Sequence, residues 1–75
     1  MAKIASDNVR QTYDFIARHP DGVGAADVVR FYNSVAGSKI ESHLSLLCSM
    51  EGCGLLLWEG VANGKTVIGV PEWAR

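Results

Sequence analysis

Two consecutive residues, Asn63 and Gly64, place the strongest constraint on how this chain can fold. They separate an apolar run, Leu55 to Ala62, from a β-branched run, Lys65 to Val70, which Pro71 ends. Asn-Gly is the strongest short-range signal for a two-residue type I′ turn, because both central residues must accept a positive φ. The sequence therefore predicts an antiparallel hairpin with these two runs as strands and Asn63-Gly64 at its tip.

The same stretch also resembles a phosphate-binding loop, because Gly60 is followed by Gly64-Lys65-Thr66. That motif needs four residues between its glycines and a helix after its lysine. Here only three residues separate the glycines, and the residues after the lysine are typical of a strand. The pattern thus favours a hairpin over a nucleotide-binding loop.

Length and composition indicate one globular domain, spanning residues 1–75. The chain has 75 residues, of which 48% are hydrophobic and 20% charged. No apolar stretch approaches the length of a membrane span, and the first ten residues lack the apolar core of a signal peptide. We therefore expect a cytoplasmic protein without a cofactor, in which the two cysteines stay reduced.

Helical periodicity comes before the hairpin. Val9, Tyr13 and Ile16 recur at the spacing of one helix face, while polar residues fall opposite. This spacing predicts a first helix from about Asp7 to Arg18, and Pro20 prevents its extension.

Two more helices are predicted further along the chain. After a possible short strand at Val23, a second helix runs from about Ala25 to near Asn33. Ser38 and Glu41 are spaced as a capping box at the start of a third helix, which ends near Gly52. The residues expected on or near its apolar face are Ile40, Leu44, Leu47 and Met50.

The opposite face of the predicted third helix carries serines. Serine is a mediocre helix former, and an ordinary solvated face more often carries Glu, Lys, Gln or Arg. Either small polar residues are simply tolerated there, or a nucleic acid or a partner helix approaches closely. The residues of this stripe are Ser38, Ser42, Ser45 and Ser49.

Five short segments occur in a recognisable order and spacing: Val28-Val29, Asn33-Ser34-Val35, Ile40, Ser42 to Leu47, and Gly54-Leu55-Leu56. They are similar to an apolar second helix, a tight turn with a following apolar residue, a recognition helix ending in leucines, and a step into a hairpin. In this order the chain resembles the winged-helix family of DNA-binding domains, from about Asp7 to Val70. The resemblance implies an α+β fold with three helices followed by a C-terminal β-hairpin, the wing.

The resemblance also implies a function. Winged-helix domains place the third helix in the major groove, and the wing tip reaches a phosphate or the minor groove. We therefore expect sequence-specific binding of double-stranded DNA by a small transcriptional regulator. The candidate DNA-binding residues are Arg30, Ser38, Lys39, Ser42, Ser45, Asn63 and Lys65.

Charge limits the affinity of such a surface. Residues 24–66 contain three cations and four carboxylates, and the whole chain carries a net charge of −1. Since most binding free energy of such a domain comes from neutralised phosphates, a monomer should bind DNA weakly. We predict a homodimer that uses the first helix or the C-terminal tail, because a core of this size should leave large apolar side chains such as Phe15, Leu46 and Trp73 uncovered.

Other functions remain open at this point. The chain could be a winged-helix protein-interaction module, or a subunit of a larger complex that does not contact DNA. We expect no enzymatic activity, since no nucleophile or carboxylate pair is placed by a known motif. His43, Cys48 and Cys53 lack the spacing of a zinc site, so buried thiols are the expectation, and a metal-ligand or redox role is the alternative. Trp58 is expected to pack in the core or a dimer contact rather than to stack on a base.

Overall fold

The first helix forms where the sequence predicts it. The computed structural model of the protein describes residues 6–74. Helix α1 spans Asp7–Ala17 and begins at Ser6, whose side-chain oxygen accepts a hydrogen bond from the backbone N–H of Val9 at 3.3 Å. This bond satisfies one of the N–H groups that a helix start leaves unpaired. Val9, Tyr13 and Ile16 are buried, so the face predicted to be apolar covers the core.

A two-residue strand and a second helix follow. Strand β1 is Val23–Gly24, which confirms the short strand expected there. Helix α2 spans Ala25–Ala36 and continues past Asn33, where we predicted its end. It stops at Gly37, whose φ of 64° is left-handed. The predicted turn at Asn33-Ser34-Val35 was wrong because the helix ends at the first glycine that can adopt this conformation at low cost.

Helix α3 starts later than the capping box suggested. It spans His43–Gly52, and the side-chain oxygen of Ser42 accepts a hydrogen bond from a backbone N–H of its first turn at 3.2 Å. The predicted start at Ser38 and Glu41 was wrong because the hydroxyl of Ser38 instead donates to the side chain of Asn33 at 3.3 Å. With that hydroxyl engaged elsewhere, Ser42 becomes the cap.

The face that α3 turns toward the core also differs from the prediction. Leu46, Leu47 and Met50 are buried, whereas Leu44 is 57% exposed. Ile40 packs against the core from the loop before the helix, so it shares no helical face with Leu44. We expected Leu46 to lie outside the core, on the flank of α3. That expectation was wrong, because α3 is rotated so that Leu46 is buried in the core.

The hairpin confirms its predicted turn. Strands β2, Trp58–Ala62, and β3, Lys65–Gly69, are joined by Asn63 and Gly64, whose φ angles of 54° and 74° are both positive. This is the type I′ requirement. The first strand does not begin at Leu55 as predicted, because the N–H of Leu55 donates to a carbonyl in the last turn of α3 at 2.8 Å. That residue helps to end the helix and does not pair in the sheet.

The last strand in the sequence, β3, is the middle strand of the sheet. The order is β1-β3-β2, and both pairings are antiparallel, with Val23 opposite Ile68 and Trp58 opposite Gly69. The part of the chain that the structure describes is therefore α+β, with three α-helices, a three-stranded antiparallel sheet and a short 3₁₀ helix at Glu72–Ala74. Within residues 6–74, no helix is long and apolar enough to cross a lipid bilayer. The buried core consists of Val9, Tyr13, Ile16, Val23, Val28, Leu46, Leu47, Met50, Ile68 and Val70.

Trp58 covers the outer face of the sheet. Neighbouring residues of a strand point to opposite faces, so Trp58 and Gly69 lie on the face away from buried Ile68. A Cβ atom added at Gly69 would overlap the indole ring, and one added at Gly22 would lie 2.8 Å from it. The half-buried indole therefore lies against glycines on the outer face of the sheet, so Trp58 is not part of the buried core, and a role in a dimer contact stays a prediction.

Candidate nucleic-acid interface

The loop between α2 and α3 is held by one side chain. The amide oxygen of Asn33 accepts a hydrogen bond from the backbone N–H of Ile40, and its amide nitrogen donates to the carbonyl of Ile40, each at 3.0 Å. The hydroxyl of Ser38 donates to the same amide oxygen. Lys39 stands between the two anchored residues and is exposed. The loop therefore presents a lysine from a backbone that is fixed on both sides.

The first turn of α3 carries two exposed serines. Ser42 caps the helix, and the hydroxyl of Ser45 donates a hydrogen bond to the carbonyl of Ser42 at 3.1 Å. Each hydroxyl oxygen keeps acceptor or donor capacity beyond these bonds. Both side chains lie at the positive end of the helix, where backbone N–H groups favour a nearby anion.

The rest of the exposed face of α3 has no positive charge. From His43 to Gly52 the only charged side chain is Glu51. The predicted stripe of four serines on one helical face was wrong, because only Ser45 and Ser49 are exposed within the helix, and Ser38 is half-buried in the loop. The exposed face is instead uncharged over most of its length, with Leu44 and small side chains.

The hairpin tip contributes a second group of polar residues. Asn63 and Lys65 are both exposed. Lys65 also borders a shallow groove of about 390 Å³ between the start of α2 and strand β3, and Arg30 lies on the other side of this groove. The groove residues are Gly24, Ala25, Ala26, Asp27, Arg30, Lys65 and Thr66.

Arg30 is not a free cation. Its guanidinium lies 3.1 Å from a carboxylate oxygen of Asp27, one turn earlier on α2. The side chains are 80% and 56% exposed, and an exposed pair of this kind contributes only about 0–1 kcal/mol. A phosphate could therefore compete with Asp27 for Arg30 at little cost.

The thiols do not lie where we expected. Cys48 is exposed on α3, and Cys53 is half-buried just after the helix; both are free. The expectation that Cys48 is buried was wrong because α3 is rotated to bury Leu46, which turns the thiol outward. Among the described residues, no group of three or more His, Cys, Asp or Glu side chains could hold a metal ion.

The structure thus divides the predicted site residues into two groups. Lys39, Ser42 and Ser45 lie together around the start of α3, and Arg30 and Lys65 line one groove, with Asn63 at the tip beside it. Ser38 belongs to neither group, because its hydroxyl donates a hydrogen bond to Asn33 within the loop.

Sequence reasoning missed the role of Asn33, which it had placed in a turn. The sequence alone does not show that Asn33 bonds the N–H and the carbonyl of Ile40, because these bonds form only when the loop after α2 folds back onto this helix.

Comparison of the chain with protein-family models, with curated proteins and with solved structures finds no match.

Proposed function

We propose that this chain is a winged-helix domain that binds double-stranded DNA as a small transcriptional regulator. The order of elements supports this proposal: α1, β1, α2, α3 and then a hairpin, with β1 paired to the second hairpin strand. In such a domain α3 would be the recognition helix and Asn63-Gly64 the tip of the wing.

The proposed DNA contacts come from two groups of side chains. Lys39, Ser42 and Ser45 would meet the phosphates at the edge of the major groove as α3 enters it. Lys65 and Asn63 would contact the neighbouring backbone or minor groove from the wing. The observation that carries the proposal is that two separate segments each present an exposed lysine: the anchored loop presents Lys39 just before α3, and the hairpin presents Lys65 beside the start of α2.

The charge of this surface sets the expected affinity. Residues 24–66 contain three cations, Arg30, Lys39 and Lys65, and four carboxylates, so this segment has a net charge of −1. Few counterions would be released, and the monomer should bind weakly and with a shallow salt slope. A homodimer with its two α3 helices about 34 Å apart would double the contacts and give useful affinity.

Fluorescence anisotropy with labelled duplex DNA at two salt concentrations tests the proposal. Binding should weaken as salt rises, and Lys39→Gln and Lys65→Gln should each reduce the slope of log K against log salt by about 1 per molecule. The matched control is Arg10→Gln on α1, which removes one positive charge from a helix that the proposal directs away from DNA. Because Arg10 lies 4.0 Å from Asp14 on the same helix, the oligomeric state of this variant is measured alongside its DNA affinity. Equal losses in all three variants would show that only overall charge matters.

A protein-interaction module is the second candidate function. One observation favours it: the exposed face of α3 carries Leu44, 57% exposed, and no cation. Such a face suits the apolar side of a partner helix better than a polyanion. Under this alternative, DNA binding is absent even at low salt, and Leu44→Glu abolishes capture of the partner while the protein stays folded.

A further inference from the structure

The side of α1 opposite the core has an ordered pattern of charge. Asp7, Gln11, Asp14 and Arg18 are all exposed and recur at the spacing of a single helical stripe, which we call the outer stripe of α1. Within the helix, Asp14 makes only a marginal ion pair with Arg10, at 4.0 Å. No described residue covers this stripe, so its charges face outward.

The outer stripe of α1 is complementary to itself when it is reversed. Asp7 and Arg18 are equally far from the midpoint between Thr12 and Tyr13, and so are Gln11 and Asp14. When two copies pack their α1 helices antiparallel around a two-fold axis at this midpoint, each Asp7 comes level with Arg18 of the other copy. Gln11 likewise comes level with Asp14. A two-fold contact forms every such pair twice.

An aromatic stack lies at the flank of this stripe. The rings of Phe15 and Phe31 are parallel within 2° with centroids 4.2 Å apart, and both residues are half-buried. They lie between a groove of about 530 Å³ and a smaller one of about 200 Å³ that also touches the outer stripe. In this dimer the two-fold axis is perpendicular to both α1 helices, so the Phe15 side of each helix lies on the same side of the helix pair. The two aromatic stacks would therefore lie near each other.

We propose that a second copy of this chain docks on the outer stripe of α1, forming an antiparallel dimer. The Asp7 and Arg18 pairs set its register, and the Phe15 and Phe31 rings supply its apolar contact. Charge complementarity selects a second copy as the occupant, because reversal of the stripe brings its cation, Arg18, level with the carboxylate of Asp7 and brings the carboxylate of Asp14 level with the amide of Gln11. This dimer is the one on which the proposed DNA binding depends. The dimer is tested without DNA, so the result can contradict the dimer or the DNA binding separately.

Charge exchange between the two ends of the stripe tests the register. Asp7→Arg places two arginines at each contact, and Arg18→Asp places two aspartates there, so each variant should dimerise at least about tenfold more weakly. In an equimolar mixture of the two variants, both contacts again join opposite charges. Sedimentation velocity at up to about 100 µM should therefore show monomers for each variant alone and a heterodimer for the mixture. Their thermal unfolding is measured in parallel to show that each variant is folded.

Glu59→Arg is the matched control. It changes the net charge by the same amount as Asp7→Arg, but on the edge strand β2, and should leave the dimer intact. Recovery of the dimer on mixing supports the proposal even if one variant is somewhat less stable. A wild-type protein that stays monomeric up to the highest concentration overturns it, and so does a wild-type dimer that both charge reversals leave unchanged, or a mixture that fails to associate.

Discussion

The phenol of Tyr13 donates a hydrogen bond to the backbone carbonyl of Leu56 at 3.1 Å, and this bond joins α1 to the segment that leads into the hairpin. Tyr13 is buried, and burial raises the pKa of its phenol above the ordinary value of 10.0. The charged phenolate is disfavoured at this position because it would lose its solvation. The link between the first helix and the hairpin therefore depends on a protonated tyrosine.

Stability should fall in strong alkali because of Tyr13. A pKa raised in the folded state means that the folded protein holds its proton more tightly, so the stabilisation is complete below about pH 10 and is lost as pH rises through the folded pKa. Tyr13→Phe should cost about 0.5–1.5 kcal/mol at neutral pH through the lost hydrogen bond, and should make the alkaline decline shallower. Urea unfolding at neutral and alkaline pH measures both effects. Tyr32→Phe, as the control, should keep the full decline.

Replacing Asn33 should loosen the loop that presents Lys39. Asn33→Ala removes the bonds to both backbone groups of Ile40 and should destabilise the protein by about 1–3 kcal/mol. Asn33→Asp keeps the acceptor but turns a carboxylate toward the Ile40 carbonyl, so it should not rescue stability. Thermal unfolding measures the loss. A neutral effect of Asn33→Ala would mean that the loop does not depend on this side chain.

Gly69→Ala should destabilise the sheet through Trp58 alone. A Cβ atom at position 69 would overlap the indole ring, which must then leave the glycine surface, at a cost of about 1–3 kcal/mol. The control is Gly52→Ala at the end of α3, where a Cβ atom meets nothing within 4 Å. A double-mutant cycle with Trp58→Ala separates the contact from backbone effects: if the cost of Gly69→Ala persists without the indole, the clash is not its cause.

Ser42→Glu should separate the two candidate functions. Under DNA binding, the new carboxylate meets phosphates or base edges at the start of α3, and like-charge contact costs several kcal/mol of affinity. Glutamate also lacks the short side chain that caps the helix, so about 0.5–2 kcal/mol of stability is lost.

Arg10→Gln controls for the charge change, and Ser42→Ala controls for the lost cap. Anisotropy and thermal unfolding are measured on all three variants. If Ser42→Glu binds DNA no worse than Arg10→Gln does, the assignment of α3 as a recognition helix is wrong.

The features that the sequence predicts well are those set by neighbouring residues. The type I′ turn follows from the φ angles that Asn63 and Gly64 accept, and α1 follows from an uninterrupted apolar period that ends before Pro20. Neither requires knowledge of a distant contact. The α+β class follows from the same local patterns, whereas the two-residue strand at Val23 depends on its pairing with the distant Ile68.

The errors around α3 have one physical origin. Ser38 and Ser42 could each cap the helix, but the hydroxyl of Ser38 is hydrogen-bonded to the side chain of Asn33, so Ser42 is the cap. That contact depends on where α2 ends, which Gly37 determines three residues beyond the predicted position of Asn33. The rotation of α3 depends on tertiary packing as well: burial of Leu46, Leu47 and Met50 leaves Leu44 and Cys48 on the outward side. A local pattern cannot resolve a choice that a tertiary contact makes.

The position of β3 in the sheet has a consequence for how the chain folds as it is synthesised. Val23 finds its partner at Ile68, and both Ile68 and Val70 are completely buried. The three helices therefore emerge from the ribosome before the strand that closes their core does, because that strand follows them in the chain. Until then their apolar faces stay open to water and to other chains. We expect a tethered nascent chain that has its helices outside the ribosome and β3 still inside it to bind chaperones, and emergence of β3 to complete the fold in one cooperative step.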